Sequence, residues 1–234
     1  MRIPSRFPPA ITAVATAAAA AMLLAAGTAQ ADIAIYDSQS TYLGAVGVTG
    51  VDTFDDLITD EFAAPLQRTA GAFAYTATIT GGTGFGGSDD DTDMWLTTGS
   101  VDDAITFGNF GTGAAGAGGF FFGSDRFGFS QAIGHITVSA TDSTGATVTQ
   151  VIDAPGPDSF VGFVSTTYLT SLSVSIGGTA DGWPAVDDLH VSAAVPEPAT
   201  CGMLLAGLGL LGCAARRRQA AATAATGVRP AAGT

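Results

Sequence analysis

Between residues 32 and 194 the chain alternates rather than winds. Phe73, Tyr75, Ala77 and Ile79 interleave with Ala72, Ala74, Thr76 and Thr78, and that period of two places one set on each face of a β-strand. Short runs of the same kind recur at Val51–Asp55, Met94–Thr97, Ala104–Phe107, Gly119–Gly123 and Ile133–Ala140. More follow at Ala146–Ile152, Ser159–Ser165, Ser171–Ile176 and Ala185–Ser192. Turn chemistry separates them. Asp142-Ser143-Thr144-Gly145 reads as a hairpin turn, and Ala154-Pro155-Gly156-Pro157-Asp158 as a break. The glycine-rich stretch Gly108–Gly119 reads as a mobile loop. Ser38 can cap one short helix running to Val46, with Tyr42, Leu43 and Val46 on one side. About ten short strands without a repeat predict an all-β fold: a single jelly-roll-like β-sandwich with one short N-terminal helix.

A domain spanning residues 32–194 is long enough for a sizeable core. It contains no cysteine. Cys201 and Cys213 lie twelve residues apart in a later apolar run, and on a helix that is ~18 Å, too far for a disulfide. The whole chain carries a formal charge of −13. The predicted domain is more acidic still, with Arg68 and Arg126 its only bases and Glu61 its only glutamate. Nucleic acid and anionic membrane surfaces both require basic patches, so they are excluded as partners. The acidity serves solubility or cation binding.

Both ends carry targeting features. Arg2 and Arg6 precede an apolar stretch, Ile11–Ala26, and Ala29-Gln30-Ala31 fits the small-x-small rule of a signal peptide over residues 1–31 cleaved before Asp32. At the other end, Val195-Pro196-Glu197-Pro198 precedes an uncharged run over residues 199–215, then Arg216-Arg217-Arg218. The prolines hold the first element extended. The apolar run reaches the lower limit for a transmembrane helix, ~17 residues, and the arginines act as a stop-transfer signal that stays cytoplasmic. Residues 219–234 are rich in Ala and Thr and read as a disordered tail.

The ordered trio over residues 195–218 resembles the PEP-CTERM sorting signal of Gram-negative bacteria. The resemblance implies processing by an exosortase, an integral membrane cysteine protease. It also implies transient insertion in the inner membrane and delivery to the envelope, cell surface or exopolysaccharide matrix. The body has a looser resemblance. Phe54-Asp55-Asp56, Phe120-Phe121-Phe122-Gly123, Phe160-Val161-Gly162-Phe163 and Val186-Asp187-Asp188-Leu189-His190-Val191 resemble other PEP-CTERM cargo sandwiches. The last is also similar to the closing strand of jelly-roll carbohydrate-binding modules.

Asp187 shares its parity with Leu189 and Val191, so alternation turns it toward the core. A carboxylate there needs a charge partner, a metal or several donors. It either sits at the rim accepting backbone N–H bonds or joins Asp55 or Asp56 in a structural calcium site. Such an ion is common in the modules the strand resembles. Asp89, Asp91 and Asp93 have the spacing that opens an EF-hand loop, but Met94 replaces its glycine and Ser100 its closing glutamate. They form either a solvated turn or a calcium loop of another type. Trp183, in Asp181-Gly182-Trp183-Pro184, either stacks on a sugar ring or packs over the sandwich edge. Trp95 and Phe120–Phe122 read as buried strand residues.

Little points to catalysis. His135 and His190 alternate with apolar neighbours and are expected to face solvent. No nucleophile elbow, zinc helix or phosphate loop occurs, and carboxylate pairs suited to a glycosidase arise by chance in so acidic a domain. The reading is an exported, exosortase-processed, non-enzymatic envelope or exopolysaccharide-matrix protein. The alternatives are a carbohydrate-binding module with a structural calcium ion and, third, a surface glycoside hydrolase.

Overall fold

A computed structural model describes residues 32–90, 92–111, 113–177, 182–195, 204 and 206–217. The chain divides into two units, Met1–Ala194 and Val195–Thr234.

The first unit begins with β1 (Ile33–Tyr36) and helix α1 (Gln39–Ala45). Then come β2 (Thr49–Asp52), β3 (Glu61–Ala63), β4 (Leu66–Ala70), β5 (Phe73–Ile79), β6 (Thr83–Gly87), β7 (Trp95–Thr98) and β8 (Ala104–Gly108). The longer strands follow: β9 (Ala114–Ser124), β10 (Ser130–Gln131), β11 (His135–Asp142), β12 (Thr147–Asp153), β13 (Phe160–Ser165), β14 (Leu169–Ser175) and β15 (Trp183–Ala193). They form two sheets. One runs β1-β13-β9-β15-β7-β6-β3, with β10 on β9 and β2 on β15; the other runs β12-β11-β14-β8-β5-β4. The body is the expected β-sandwich.

Alternation explains the core. Tyr75, Ala77 and Ile79 of β5, Ile105 and Phe107 of β8, Ile136, Val138 and Ala140 of β11, and Leu172 and Val174 of β14 all point from the second sheet into one cluster. Ala117, Phe121, Phe163, Val186, Leu189 and Val191 meet them from the first. The hairpin turn at Asp142 is where its residues predict. The Asp142 Oδ1 accepts N–H bonds from Thr144 at 2.8 Å and Ala146 at 3.1 Å.

Two expectations change. Only the first part of the glycine stretch lies between strands: from Ala114 onward it is the start of β9, which lies between β13 and β15 at the centre of its sheet. Its glycines allow close approach. A Cβ on Gly118 would stand 2.6 Å from the Gly162 Cα, and one on Gly116 2.8 Å from the Tyr42 hydroxyl. The helix is one residue shorter at its end than expected, with Ser38 as its cap. Tyr42 is fully buried under it and Val46 nearly so, but Leu43 is exposed. β1, β3, β4, β6 and β10 had no counterpart in the alternation.

In the second unit, residues 206–217 are helical. Among the described residues no helix is long and apolar enough to cross a membrane. The expected span over residues 199–215 lies partly outside the described residues. The expected signal peptide, Pro196, Glu197, Pro198, Arg218 and the expected tail lie wholly outside them.

Candidate functional site

A cleft of about 410 Å³ opens beside the start of β15 and is lined by Thr59, Glu61, Thr83, Phe85, Arg126, Phe127 and Trp183, among others. Trp183 begins β15 and Phe85 lies in the middle of β6. Their rings meet edge to face, 5.3 Å between centroids at 78°. The opposite wall is the turn after β9. There Asp125 Oδ1 accepts N–H bonds from Phe127 at 2.7 Å and Phe129 at 3.0 Å, and Gly128 takes a left-handed φ of 90°. This turn holds the Arg126 guanidinium 4.4 Å from the Phe127 ring centroid. Phe127 remains 64% exposed. The cleft thus combines three aromatic rings with one carboxylate, one guanidinium and threonine hydroxyls, a composition suited to a ligand with both apolar faces and hydroxyl groups.

A smaller cleft of about 240 Å³ is lined by Asp93, Trp95, Phe120, Phe122, Pro157, Asp158, Asp187 and Asp188. The Asp187 side chain does not point into the core. Pairing between β9 and β15 shifts register between Asp187 and His190, and Asp188 has a φ of 47°. This bulge inserts one residue, so Val186, Leu189 and Val191 are buried in the core while Asp187 turns to the outer face. Burial there pushes the Asp187 carboxyl up to about 7, reinforced by the charges of Asp188, Asp93 and Asp55, while the Asp188 N–H donates to it at 2.7 Å and opposes the rise. Burial also raises Asp93 and Asp188.

The acidic residues singled out in the sequence are therefore split. Asp55, Asp93 and Asp187 share one electrostatic environment. Asp55 also accepts the Thr53 hydroxyl at 2.7 Å and the Met94 N–H at 3.3 Å. Asp56 is elsewhere: it binds Arg68, which holds its carboxyl below the usual range. Asp89 is bound by the Ser130 N–H and hydroxyl. Asp91 lies outside the described residues. Among the described residues no group of three or more His, Cys, Asp or Glu side chains is placed to hold a metal ion.

Three features escaped the sequence. Arg68 joins Asp52 through two bonds of 2.7 Å, and the Tyr75 hydroxyl donates to the same carboxylate at 2.6 Å. His190 does not face solvent. It is 2% exposed under α1, edge-on to Tyr42 and Phe160, with Nδ1 donating to the Asp188 carbonyl at 2.6 Å. Trp95 is buried as expected, but on the outer face against Phe122 and Ala185 rather than between the sheets.

Residues 194–219 match the PEP-CTERM protein-sorting motif. The chain carries a PEP-CTERM sorting signal. The PEP-CTERM motif implies processing by an exosortase and a place in the cell envelope or at the surface. Val195 is its first tetrapeptide residue, and Arg216 and Arg217 close the helix described after it. No curated protein sequence matches the chain. Solved structures overlap this chain in part. A family 6 carbohydrate-binding module is 12% identical, with 58% of this chain and 94% of that one covered at a TM-score of 0.32. The tandem CBM22 domain of Paenibacillus barcinonensis Xyn10C is 14% identical, with 63% and 46% covered at 0.32. An exo-β-1,3-galactanase from Phanerochaete chrysosporium is 15% identical, with 55% and 29% covered at 0.29.

Proposed function

We propose that this PEP-CTERM protein is a non-enzymatic component of the envelope or exopolysaccharide matrix, and that its body grips a sugar unit in the cleft at Trp183. The cleft carries the reading. A pyranose offers an apolar face to an aromatic ring and hydroxyls to polar neighbours. Trp183 and Phe127 supply the rings, and Glu61, Arg126 and Thr83 supply an acceptor, a donor and a hydroxyl at the rim. One guanidinium beside one carboxylate leaves the cleft without a strong charge preference, which favours a neutral or singly acidic sugar.

A glycan array followed by calorimetry tests it. Sub-millimolar binding to at least one glycan is expected, since 1 mM corresponds to about 4 kcal/mol. Trp183→Ala is expected to weaken it about tenfold or more. Binding to no glycan, or binding unchanged in the variant, rejects the cleft as the sugar site.

A further inference from the structure

The edge strand β12 leaves one row of its backbone groups outside the ladder it forms with β11. Bonds at the two ends of the β11–β12 ladder set its phase: the Asp142 N–H donates to the Ala146 carbonyl at 3.0 Å, and the Ala154 N–H to the Gly134 carbonyl at 2.8 Å. Even-numbered residues of β12 therefore exchange bonds with β11, their partners in register. Thr147, Thr149, Val151 and Asp153 aim their N–H and C=O groups away from the sheet. β12 ends the strand order and pairs with β11 alone among the described residues.

Native sheets blunt such edges with charge, proline, bulges or shortness. The other edges here follow that rule. β1 has four residues; β3 has three, begins with Glu61 and is followed closely by Pro65; β4 carries Arg68 across its middle. β12 has seven residues, Thr-Val-Thr-Gln-Val-Ile-Asp, with no proline and its one charge at the last position. Val151 is 47% exposed. The Gln150 amide covers one outward group, donating to the Val151 carbonyl at 2.9 Å.

We propose that β12 pairs antiparallel with β12 of a second copy, Gln150 facing Gln150 across a two-fold axis, so that the two six-stranded sheets become one. In this register Thr149 opposes Val151 and Thr147 opposes Asp153, so outward backbone groups meet outward groups. A slip of one residue sets them against groups already bonded to β11. Val148 and Ile152, both packed against the core, meet on the inner face. The register also keeps the charged residues of the two β12 strands apart. It puts each Asp153 opposite a threonine and separates the two aspartates by ~20 Å of strand, beyond the Debye length of about 8 Å at physiological salt. A second copy suits the edge better than a foreign strand because its sequence is complementary to its own reverse.

Cysteine mapping tests the register in the full chain, held in mild detergent, with Cys201→Ser and Cys213→Ser as background. Facing residues of a non-hydrogen-bonded pair lie ~4.5 Å apart at Cα, within disulfide reach. Gln150→Cys alone is expected to give an oxidised dimer. Val148→Cys alone is not, but mixed with Ile152→Cys chains it is. No dimer at position 150, or one from Val148→Cys alone, overturns the proposal. Sedimentation of Thr149→Pro gives a second measure: that proline removes an outward N–H and no backbone bond to β11, and besides it loses the exposed hydroxyl contact of Thr149 with Ser139, 2.8 Å. The expected result is a monomer with an unchanged far-UV spectrum. Association equal to that of the unaltered chain, or an unaltered chain that is monomeric up to its solubility limit, also overturns it.

Discussion

Two buried ionic arrangements at residue scale have opposite consequences. Asp52, Arg68 and Tyr75 satisfy one another, and Arg68 also lies 5.0 Å over the Phe54 ring. Arg68→Met leaves the 6%-exposed Asp52 carboxylate without its guanidinium, with the Tyr75 hydroxyl and the Phe54 N–H still donating to it. A loss of about 3–5 kcal/mol is expected in urea unfolding. Asp187 is the converse case: burial and like charges push its carboxyl up to about 7. Its folded pKa exceeds its unfolded value, so the native state binds the extra proton between about pH 4 and 7. Its contribution to stability is therefore greatest below that window, falls as pH rises through it, and levels off above about 7. Asp187→Asn removes this slope, which melting curves from pH 4 to 8 measure. Among the described residues no three carboxylates are placed to hold a metal ion; the calcium site expected from the sequence is tested by melting at pH 7, where a bound ion raises Tm. A Tm indifferent to calcium and to chelator rejects the ion.

Glycine placement decides the packing at element scale. Gly162 of β13 lies under Tyr42, and a Cβ there would come within 2.3 Å of the Tyr42 ring. Tyr42 in turn donates to or accepts from Ser192 at 2.8 Å and covers His190. Gly162→Ala is expected to lift α1 and cost about 1–3 kcal/mol, with faster amide exchange over residues 39–45 as the measurement. The β-bulge at Asp187 and Asp188 shows the limit of parity arguments. Alternation holds along β5 and β11, where no residue is inserted. On β15 one extra residue reverses every side chain before it relative to those after it. The strands that alternation missed, β1, β3, β4, β6 and β10, have 4, 3, 5, 5 and 2 residues, too few for a period of two to stand out.

At the scale of the whole molecule the sandwich belongs to one compact unit, Met1–Ala194, and the tetrapeptide and helix of the sorting signal to another, Val195–Thr234. Exosortase processing predicts that protein recovered from the medium lacks every residue from Leu204 onward; an intact C-terminus in that fraction, found by peptide mapping, contradicts it. Local chemistry was enough to read the sorting motif, the two-sheet fold and the hairpin at Asp142, because each depends on residues adjacent in the chain. Trp183 could be singled out from its turn context. Its neighbours Phe85, Arg126 and Phe127 could not, since they come from β6 and from the turn after β9. The same holds for Arg68 with Asp52, for His190 beneath α1, and for Asp93 beside Asp187. Which face a residue presents follows from the period of its own strand; what it meets there depends on strand order, register and a single inserted residue, and only the packed sheets set those.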